Sequence, residues 1–250
     1  MAIFLSILFF VGVPLLIAWY IYVKIQERKL IEQVTPIWRG EWSERRVILK
    51  LLKMGINPKA IFHDLYLQKP NGQFAQIDVA VATKCGLIIF EVKDYGGWIF
   101  GNSSQKYWTQ IMAYGREKHR FYNPIMQNQG HIHAIRERLP QNPGIPIYSV
   151  IVFFGRCELK DVTNYVDNTY VMYPNQIQEA VEFVLSHEPA NFGNKIEIMD
   201  VFSKAVENGT NPQIREAHLN AAQFYGRNKP LSTYDYFRLS NIFSGFRKFW

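Results

Sequence analysis

Two carboxylates and one lysine on a predicted β-hairpin are the residue types of a metal-dependent hydrolytic site. Alternating apolar residues predict two consecutive strands, with Asp78 on the first and with Glu91 and Lys93 sharing one face of the second. Hard cations such as Mg²⁺ bind carboxylate oxygens and water, and they lower the pKa of bound water so that it can attack. A lysine beside such a carboxylate can position this water or stabilise negative charge that develops on a phosphate.

The turn between the two predicted strands decides whether the acids meet. If Lys84 and Cys85 form a two-residue turn, the antiparallel register places Asp78 opposite Glu91. Directly opposed side chains lie roughly 4.5 to 5.5 Å apart at Cβ, where two like charges destabilise a sheet. A bound cation would remove that repulsion, so the predicted register favours a metal site.

The alternative interpretation is that Glu91 and Lys93 form a surface pair on an edge strand. Apolar residues at 87–90 and at Val92 instead predict a strand that is buried on both faces. An unpaired charge on a buried strand is costly, so this setting favours a functional pair.

Other acids and histidines of the sequence are further candidates for the site. Glu44 shares the apolar stripe of a predicted helix, where it either faces the site or remains solvated in the first turns. His63 and Asp64, on a predicted strand, are interpreted as a partly exposed pair. His131 and His133 lie two apart on a predicted helix, so their rings diverge and a shared metal site is disfavoured.

Composition narrows the class of protein. The 250 residues are 48% hydrophobic, enough for one full domain with an anchor or extension. Twenty-eight basic against 21 acidic residues give a net charge of +7, which favours a polyanionic partner such as nucleic acid or an anionic membrane surface. The two cysteines lack metal-site spacing and suit a reducing compartment. Kinase, serine-hydrolase and dehydrogenase motifs are absent from the sequence.

The N-terminal segment predicts a membrane anchor. Residues 2–23 are uncharged and mostly apolar, and as a helix they measure about 33 Å. The hydrocarbon core of a bilayer is roughly 30 Å thick, so one helix of this length spans it. A cleavable signal peptide is the competing interpretation, but no basic residue precedes the apolar run and no small-residue site ends it. Lys24, Arg28 and Lys29 follow the span, which places the remaining domain in the cytoplasm.

The remaining patterns predict an α/β sandwich with a central mixed sheet between helices. The predicted strands are 60–67, the central hairpin, 98–100, 107–110 and 147–154, and the predicted helices are 38–54, one opening at Pro124, 175–186, 195–207 and 212–225. Trp98, Tyr107, Trp108 and Phe121 either stack on bases or pack within the core and on the sheet.

Several motifs together resemble a known family. The motifs are Gly40-x-x-x-Glu44, Gln76-Ile77-Asp78, Glu91-Val92-Lys93-x-Tyr95-x-Gly97, Gly97-Trp98-Ile99-Phe100-Gly101, Trp108-Thr109-Gln110 and Asn123-Pro124-Ile125-x-Gln127-Asn128. In order and spacing they resemble the nuclease-related domain, NERD, over about residues 38–154. That family is similar to the PD-(D/E)xK phosphodiesterases, in which a helix acid, a strand Asp and a Glu-x-Lys surround Mg²⁺.

The resemblance implies a role for each matching residue. Glu44 would be the helix acid and a third metal ligand, Asp78 and Glu91 the main metal ligands, Lys93 the catalytic lysine and Gln127 a site-facing helix residue. The family commonly has His after the strand Asp, and this chain has Val79 instead. Because Val79 points to the opposite face of the strand, the change is not expected to affect the metal.

These observations predict a single-pass membrane protein with a cytoplasmic, Mg²⁺-dependent nuclease domain that hydrolyses phosphodiester bonds in DNA, with Mn²⁺ as a possible substitute for Mg²⁺. One alternative is a nucleic-acid-binding or scaffold module that keeps the fold but does little chemistry. Another is a structural membrane protein whose acids merely bind a cation. The predicted parts are an anchor at 1–23, a stalk at 24–37, the NERD domain at 38–155 and a mostly helical extension at 156–250.

Overall fold

A computed structural model describes residues 8–112 and 115–225 of the chain. Its helices are α1 (Val13–Ile31), which follows a π-helical turn at Leu8–Gly12, α2 (Trp42–Lys53), α3 (Pro124–Arg138), α4 (Ile177–Leu185), α5 (Lys195–Asn208) and α6 (Pro212–Tyr225). Its strands are β1 (Ile61–Gln68), β2 (Phe74–Thr83), β3 (Gly86–Asp94), β4 (Gly97–Asn102), β5 (Tyr107–Met112), β6 (Glu117–Tyr122), β7 (Ile147–Phe154), β8 (Cys157–Thr163) and β9 (Thr169–Met172). The predicted α/β class is confirmed.

A five-stranded mixed sheet in the order β1-β2-β3-β7-β9 forms the centre of the domain. β1, β2 and β3 are antiparallel, and β7 pairs with β3 in parallel, as α3 crosses over between them. The apolar run in β3 is buried on both faces, so the expectation of a central strand is confirmed and the edge-strand alternative is wrong.

Helices cover both faces of this sheet. On one face α2 and α4 pack against β2, β3 and β7, with Val47, Ile48 and Val181 fully buried. On the other face α3 and α5 pack against β1, β2 and β3 through residues such as Ile135 and Phe202. Each helix presents an apolar stripe to the sheet, which is the usual way such layers bury hydrophobic surface.

A second sheet in the order β6-β5-β4-β8 continues from the end of β3. Trp108 lies in the core beneath it, where its ring stacks on Phe153 with centroids 6.1 Å apart, and Phe121 is also buried. Gly101 makes this packing possible, because a Cβ at that position would lie 2.3 Å from Cγ of Trp108. For Trp108 and Phe121 the core interpretation is therefore confirmed, whereas Trp98 is 38% exposed.

Residues beyond 155 take part in both sheets. β8 pairs with β4, β9 pairs with β7, and Phe202 of α5 packs against Phe62 of β1 with ring centroids 5.2 Å apart. The helices predicted at 195–207 and 212–225 are confirmed within one residue, whereas β6, β8 and β9 were not predicted. The domain boundary at 155 stays a prediction, and residues 226–250 lie outside the described part of the chain.

The apolar N-terminal helix leads directly into the domain. The helix from Phe10 to Ile31 is long and apolar enough to cross a membrane, a test that a signal sequence near the N-terminus also passes. Residues 2–7 of the predicted anchor lie outside the described residues. The end of this helix and the segment that follows it contact the domain, because Ile31, Thr35 and Arg39 are buried.

Candidate active site

The β2–β3 hairpin sets the positions of the two acids. Its two-residue turn is formed by Lys84 and Cys85, and the antiparallel pairing runs from Thr83 opposite Gly86 to Val79 opposite Phe90. This is the predicted register. Gly86 is required at the turn, because its φ is +134° and a Cβ there would lie 2.3 Å from the carbonyl oxygen of Pro146.

Asp78 lies directly beyond the last paired residues of this hairpin. Its side chain is buried, and Oδ2 accepts a hydrogen bond of 2.7 Å from the backbone N–H of Val92. The carboxylate therefore takes the place of a main-chain partner for β3 and is fixed between the positions of Glu91 and Lys93. The predicted proximity of Asp78 to the Glu-x-Lys motif follows from this contact.

Glu91 is buried and both of its oxygens have partners. Lys93 donates a short hydrogen bond to Oε1, and Nε2 of His131 lies 3.2 Å from Oε2. Lys93 also donates to Oε1 of Gln127, at 3.1 Å. Gln127 and His131 are four residues apart on α3, so they lie on the same helix face and contact the Glu-x-Lys pair together.

Glu44 belongs to a second buried group. Its Oε2 lies 2.9 Å from Nε2 of His63 and accepts a 3.0 Å hydrogen bond from the backbone N–H of Glu41 at the start of α2. Nδ1 of His63 in turn lies 2.8 Å from Oγ1 of Thr35. The alternative of a solvated Glu44 is wrong, because only 5% of the residue is exposed.

His63 and Asp64 are likewise buried, so the expectation of a partly exposed pair is wrong. Asp64 accepts a 3.0 Å hydrogen bond from Nε of Arg39 and a 3.2 Å hydrogen bond from Gln76. Arg39 also donates to the backbone carbonyl of Val206 at 2.7 Å. This buried network ties the segment before α2 to both β1 and α5.

The two central acids have opposite electrostatic settings. Burial raises the pKa of Asp78 well above its usual value, and the negative charges of Glu91 and Glu44 raise it further. Burial also acts to raise the pKa of Glu91, but the positive charge of Lys93 and the contact with His131 outweigh it and lower that pKa. Asp78 is therefore the group whose ionised form is destabilised and would gain most from a nearby cation.

Lys93 keeps its proton in this arrangement. Burial would lower the pKa of its ammonium, but the carboxylate of Glu91 raises that pKa by more, to above its usual value. At neutral pH the side chain is thus a fixed positive charge held between Glu91 and Gln127. It can stabilise negative charge on a bound group but does not serve as a proton acceptor.

The donor set of Asp78 and Glu91 fits a hard cation in chemistry, because both supply carboxylate oxygens. Within residues 8–112 and 115–225, however, no group of three or more acids, histidines or cysteines is arranged to hold a metal ion. Lys93 and His131 occupy both oxygens of Glu91, and Glu44 is engaged with His63. The metal-ligand roles of Asp78, Glu91 and Glu44 therefore stay predictions, and metal binding to Glu91 would require Lys93 or His131 to move.

The histidines are the site residues that sequence reasoning missed. His131 lies two residues from His133, a spacing that disfavours a shared metal site, but its contact in the structure is Glu91, 40 residues earlier in the chain. The available signal was its spacing from Gln127, since residues four apart share a helix face. For His63 the sequence offers no comparable signal, because its partners Thr35 and Glu44 lie on other elements.

The fold and this arrangement of acids and lysine define an α/β domain of the kind that the sequence motifs predicted. Residues 39–154 match the nuclease-related domain family, and the chain belongs to this family. A Bacillus anthracis protein described as uncharacterized is 32% identical over 162 residues, covering 65% of this chain and 74% of that protein. No solved structure gives a significant match.

Asp78→Asn is expected to stabilise the folded chain at neutral pH. The pKa of Asp78 is higher in the folded chain than in the unfolded chain, where it is about 3.9. The contribution of Asp78 to folding stability is therefore fully present below the unfolded pKa and is lost as the pH rises through the folded pKa. An asparagine keeps an acceptor for the N–H of Val92 without the charge, so the expected gain is about 0.5–2 kcal/mol at pH 7 and shrinks in acid. Thermal unfolding of the full chain in detergent, followed from pH 4 to 8, measures it.

The same measurement tests for a cation. If Mg²⁺ binds as the sequence predicts, a concentration of about 100 times its Kd should stabilise the wild-type chain by about 2.7 kcal/mol and leave Asp78→Asn unaffected. Asp200→Asn on α5, an exposed acid, is the matched control and should change neither value by more than about 0.5 kcal/mol. A destabilised Asp78→Asn would contradict the electrostatic description of this acid.

Proposed function

We propose that this chain is a membrane-anchored nuclease that hydrolyses phosphodiester bonds in DNA with Mg²⁺, and with Mn²⁺ as a substitute. The single observation that carries the proposal is the arrangement of two buried acids, Asp78 and Glu91, with Lys93 and Gln127 at the end of the central hairpin. Membership of the nuclease-related family supports it, as does the net charge of +7. We further propose that the sandwich is of the PD-(D/E)xK type.

Each residue has a defined task in this proposal. Asp78 and Glu91 would hold the metal, with Glu44 as a supporting acid, and Mg²⁺ when bound would supply a Lewis acid that also lowers the pKa of a water. Lys93 presents its permanent charge to the phosphate, where it stabilises the negative charge that develops in the transition state. Gln127 holds the ammonium in position through a 3.1 Å hydrogen bond.

One observation favours the alternative of a nucleic-acid-binding module with little activity. Both oxygens of Glu91 are already engaged, and the described residues contain no ready group of three metal ligands. In that case Lys93 and His131 would serve to neutralise a buried acid. The fold would then be kept for binding alone.

An assay of the full chain in detergent separates the two functions. Double- and single-stranded DNA and RNA are incubated with Mg²⁺, with Mn²⁺ and with EDTA, and binding is measured at several salt concentrations. We expect metal-dependent cleavage of DNA, together with DNA binding that weakens steeply as the salt concentration rises. Salt-dependent binding with no metal-dependent cleavage of any substrate would establish the binding module instead.

Membrane attachment through residues 2–23, with the domain on the cytoplasmic side, is part of the proposal. The full-length chain is expected to remain with membranes through carbonate and high-salt washing, because a spanning helix is held by hydrophobic burial and not by charge. A chain that begins at Lys24 should be released, and it keeps the contacts of Glu27 with the domain. Extraction followed by immunoblotting measures this.

Two results would contradict the anchor. Release of the full-length chain by salt alone would indicate electrostatic attachment to the membrane surface. Loss of the N-terminal segment from the mature protein would indicate a cleaved signal sequence.

A further inference from the structure

A basic groove lies beside α2, and two of the cations that line it also contact the N-terminal helix. It has a volume of about 1040 Å³ and runs along α2 toward the ends of β3 and β7. The charged side chains that line it are Arg45, Arg46, Lys50 and Lys53 on α2, with the acids Glu41 and Asp94. Four cations against two acids give the groove a positive potential that suits an anionic ligand.

The positive charge of the groove is only partly balanced by carboxylates. Arg45 donates to the backbone carbonyls of Arg39 and Gly40, and Lys50 donates to the carbonyl of Pro174 at 2.6 Å. Such carbonyls fix the direction of the side chains without cancelling their charge.

The remaining two cations share one acid. Arg46 and Lys53 both contact Glu27 of α1, at 3.4 and 2.6 Å, and Lys24 contacts the same carboxylate at 2.8 Å. One acid among three cations leaves an excess of positive charge at the junction of α1 and α2.

The position of Glu27 along α1 gives the depth of the groove relative to a bilayer. Val23 is the last residue of the uncharged run, and Glu27 follows four residues later, about 6 Å further along the helix axis. The headgroup layer on each side of the hydrocarbon core is about 5 to 7 Å thick. If the uncharged run spans the core, Arg46 and Lys53 lie at the level of the lipid headgroups.

An aromatic side chain at the mouth of the groove supports this depth. Trp42 lines the groove and is 59% exposed, and the guanidinium of Arg46 lies 5.8 Å from the centre of its ring. Trp38, just before it, is 73% exposed. Tryptophan is enriched at the membrane–water interface, where its apolar ring and its N–H are both accommodated.

We propose that this groove binds the headgroup of an anionic phospholipid from the leaflet that faces the domain. The inference rests on the proposed membrane anchor and is independent of nuclease activity. The phosphate lies between Arg46, Lys53 and Lys50, and Trp42 lies against the glycerol and upper acyl region. Glu27 competes with the lipid phosphate for Arg46 and Lys53, so it limits the affinity of the groove.

The test uses the full chain purified in detergent, with native mass spectrometry to count the lipids that it retains. Phosphatidylglycerol and phosphatidylcholine are offered in parallel. The wild-type chain should retain phosphatidylglycerol preferentially, and Arg46→Gln combined with Lys53→Gln should lower that affinity by roughly 10- to 30-fold, as expected for the loss of two interfacial cations. Glu27→Gln should act in the opposite direction and raise it.

Lys160→Gln combined with Lys204→Gln is the matched control, because each of these lysines also pairs with one surface acid, Glu158 and Glu207 respectively. If the control loses as much affinity for phosphatidylglycerol, the effect depends only on the net charge of the chain, and the proposed site is refuted. Equal retention of phosphatidylcholine would overturn the anionic preference. Displacement of the lipid by a short DNA oligonucleotide, but not by glycerol phosphate, would assign the groove to nucleic acid instead. If the chain also fails the carbonate extraction, the anchor itself is refuted, which is a separate result.

Discussion

Replacing Lys93 with alanine is expected to reduce turnover on DNA by about 10²- to 10³-fold, the usual effect of removing a group that stabilises transition-state charge. Metal affinity should be retained or increased, because the substitution frees Oε1 of Glu91. Affinity for DNA should change little, because Lys93 is only one of the many cations that contribute to the salt-dependent binding. Initial rates at saturating DNA, with the metal-induced shift in Tm measured in parallel, test both expectations.

Replacing the two acids should abolish cleavage for a different reason, the loss of the metal. Asp78→Ala and Glu91→Ala are expected to lose both cleavage and the stabilisation by Mg²⁺, because they remove the oxygen donors. Glu44→Gln should reduce activity less, and Gln127→Ala should have the mildest effect.

Lys84→Ala, at an exposed position in the turn of the same hairpin, is the control for the loss of a lysine and should keep wild-type rates. A Lys93→Ala variant that cleaves at the wild-type rate would show that this lysine only balances Glu91. The binding module would then be the better description of the protein.

Arg39→Met is expected to be the most destabilising single change outside the hydrophobic core. The guanidinium and its partner Asp64 have side chains only 5% and 4% exposed, so the substitution leaves a buried carboxylate without its cation. It also removes the hydrogen bonds to the carbonyls of Asp64 and Val206. Breaking a buried ion pair in this way costs about 3–5 kcal/mol.

Denaturant unfolding of the full chain in detergent measures the effect of Arg39→Met. Arg28→Met is the matched control, since Arg28 pairs with Glu32 on the exposed surface and should cost less than about 1 kcal/mol. Similar losses in the two variants would show that the segment before α2 does not stabilise the domain.

The parts of the fold that the sequence predicted are those with strong patterns. The apolar run of β3 and the two-residue turn at Lys84 and Cys85 determined the hairpin and its register, and β7 was predicted with its observed bounds. β6 and β8 were not predicted, because both strands are rich in charged residues and lack a strong apolar pattern. Their pairing depends on β4 and β5, which a local pattern does not reveal.

The candidate site was predicted to the extent that its residues are close in sequence or belong to the family motifs. Asp78, Glu91 and Lys93 meet through one hairpin. Gln127 was predicted as a site residue only from the resemblance to the nuclease-related domain. The contacts of His63 and His131 join residues from different elements, so they depend on the packing of α2 and α3 against the sheet. Burial at these positions is a tertiary property that residue types alone do not specify.

The segment between α1 and α2, in which Thr35 and Arg39 are buried against the domain, determines how freely an anchored domain could search for its substrate. Thr35 is hydrogen-bonded to His63, and Arg39 joins β1 and α5, so α1 is not followed by a loose tether. In a membrane-anchored chain the domain would then move only with its helix, by sideways diffusion and rotation in the plane of the bilayer. If such a chain cleaves DNA as proposed, the DNA would have to come to the membrane surface, and the reaction would be confined to a layer about one domain thick.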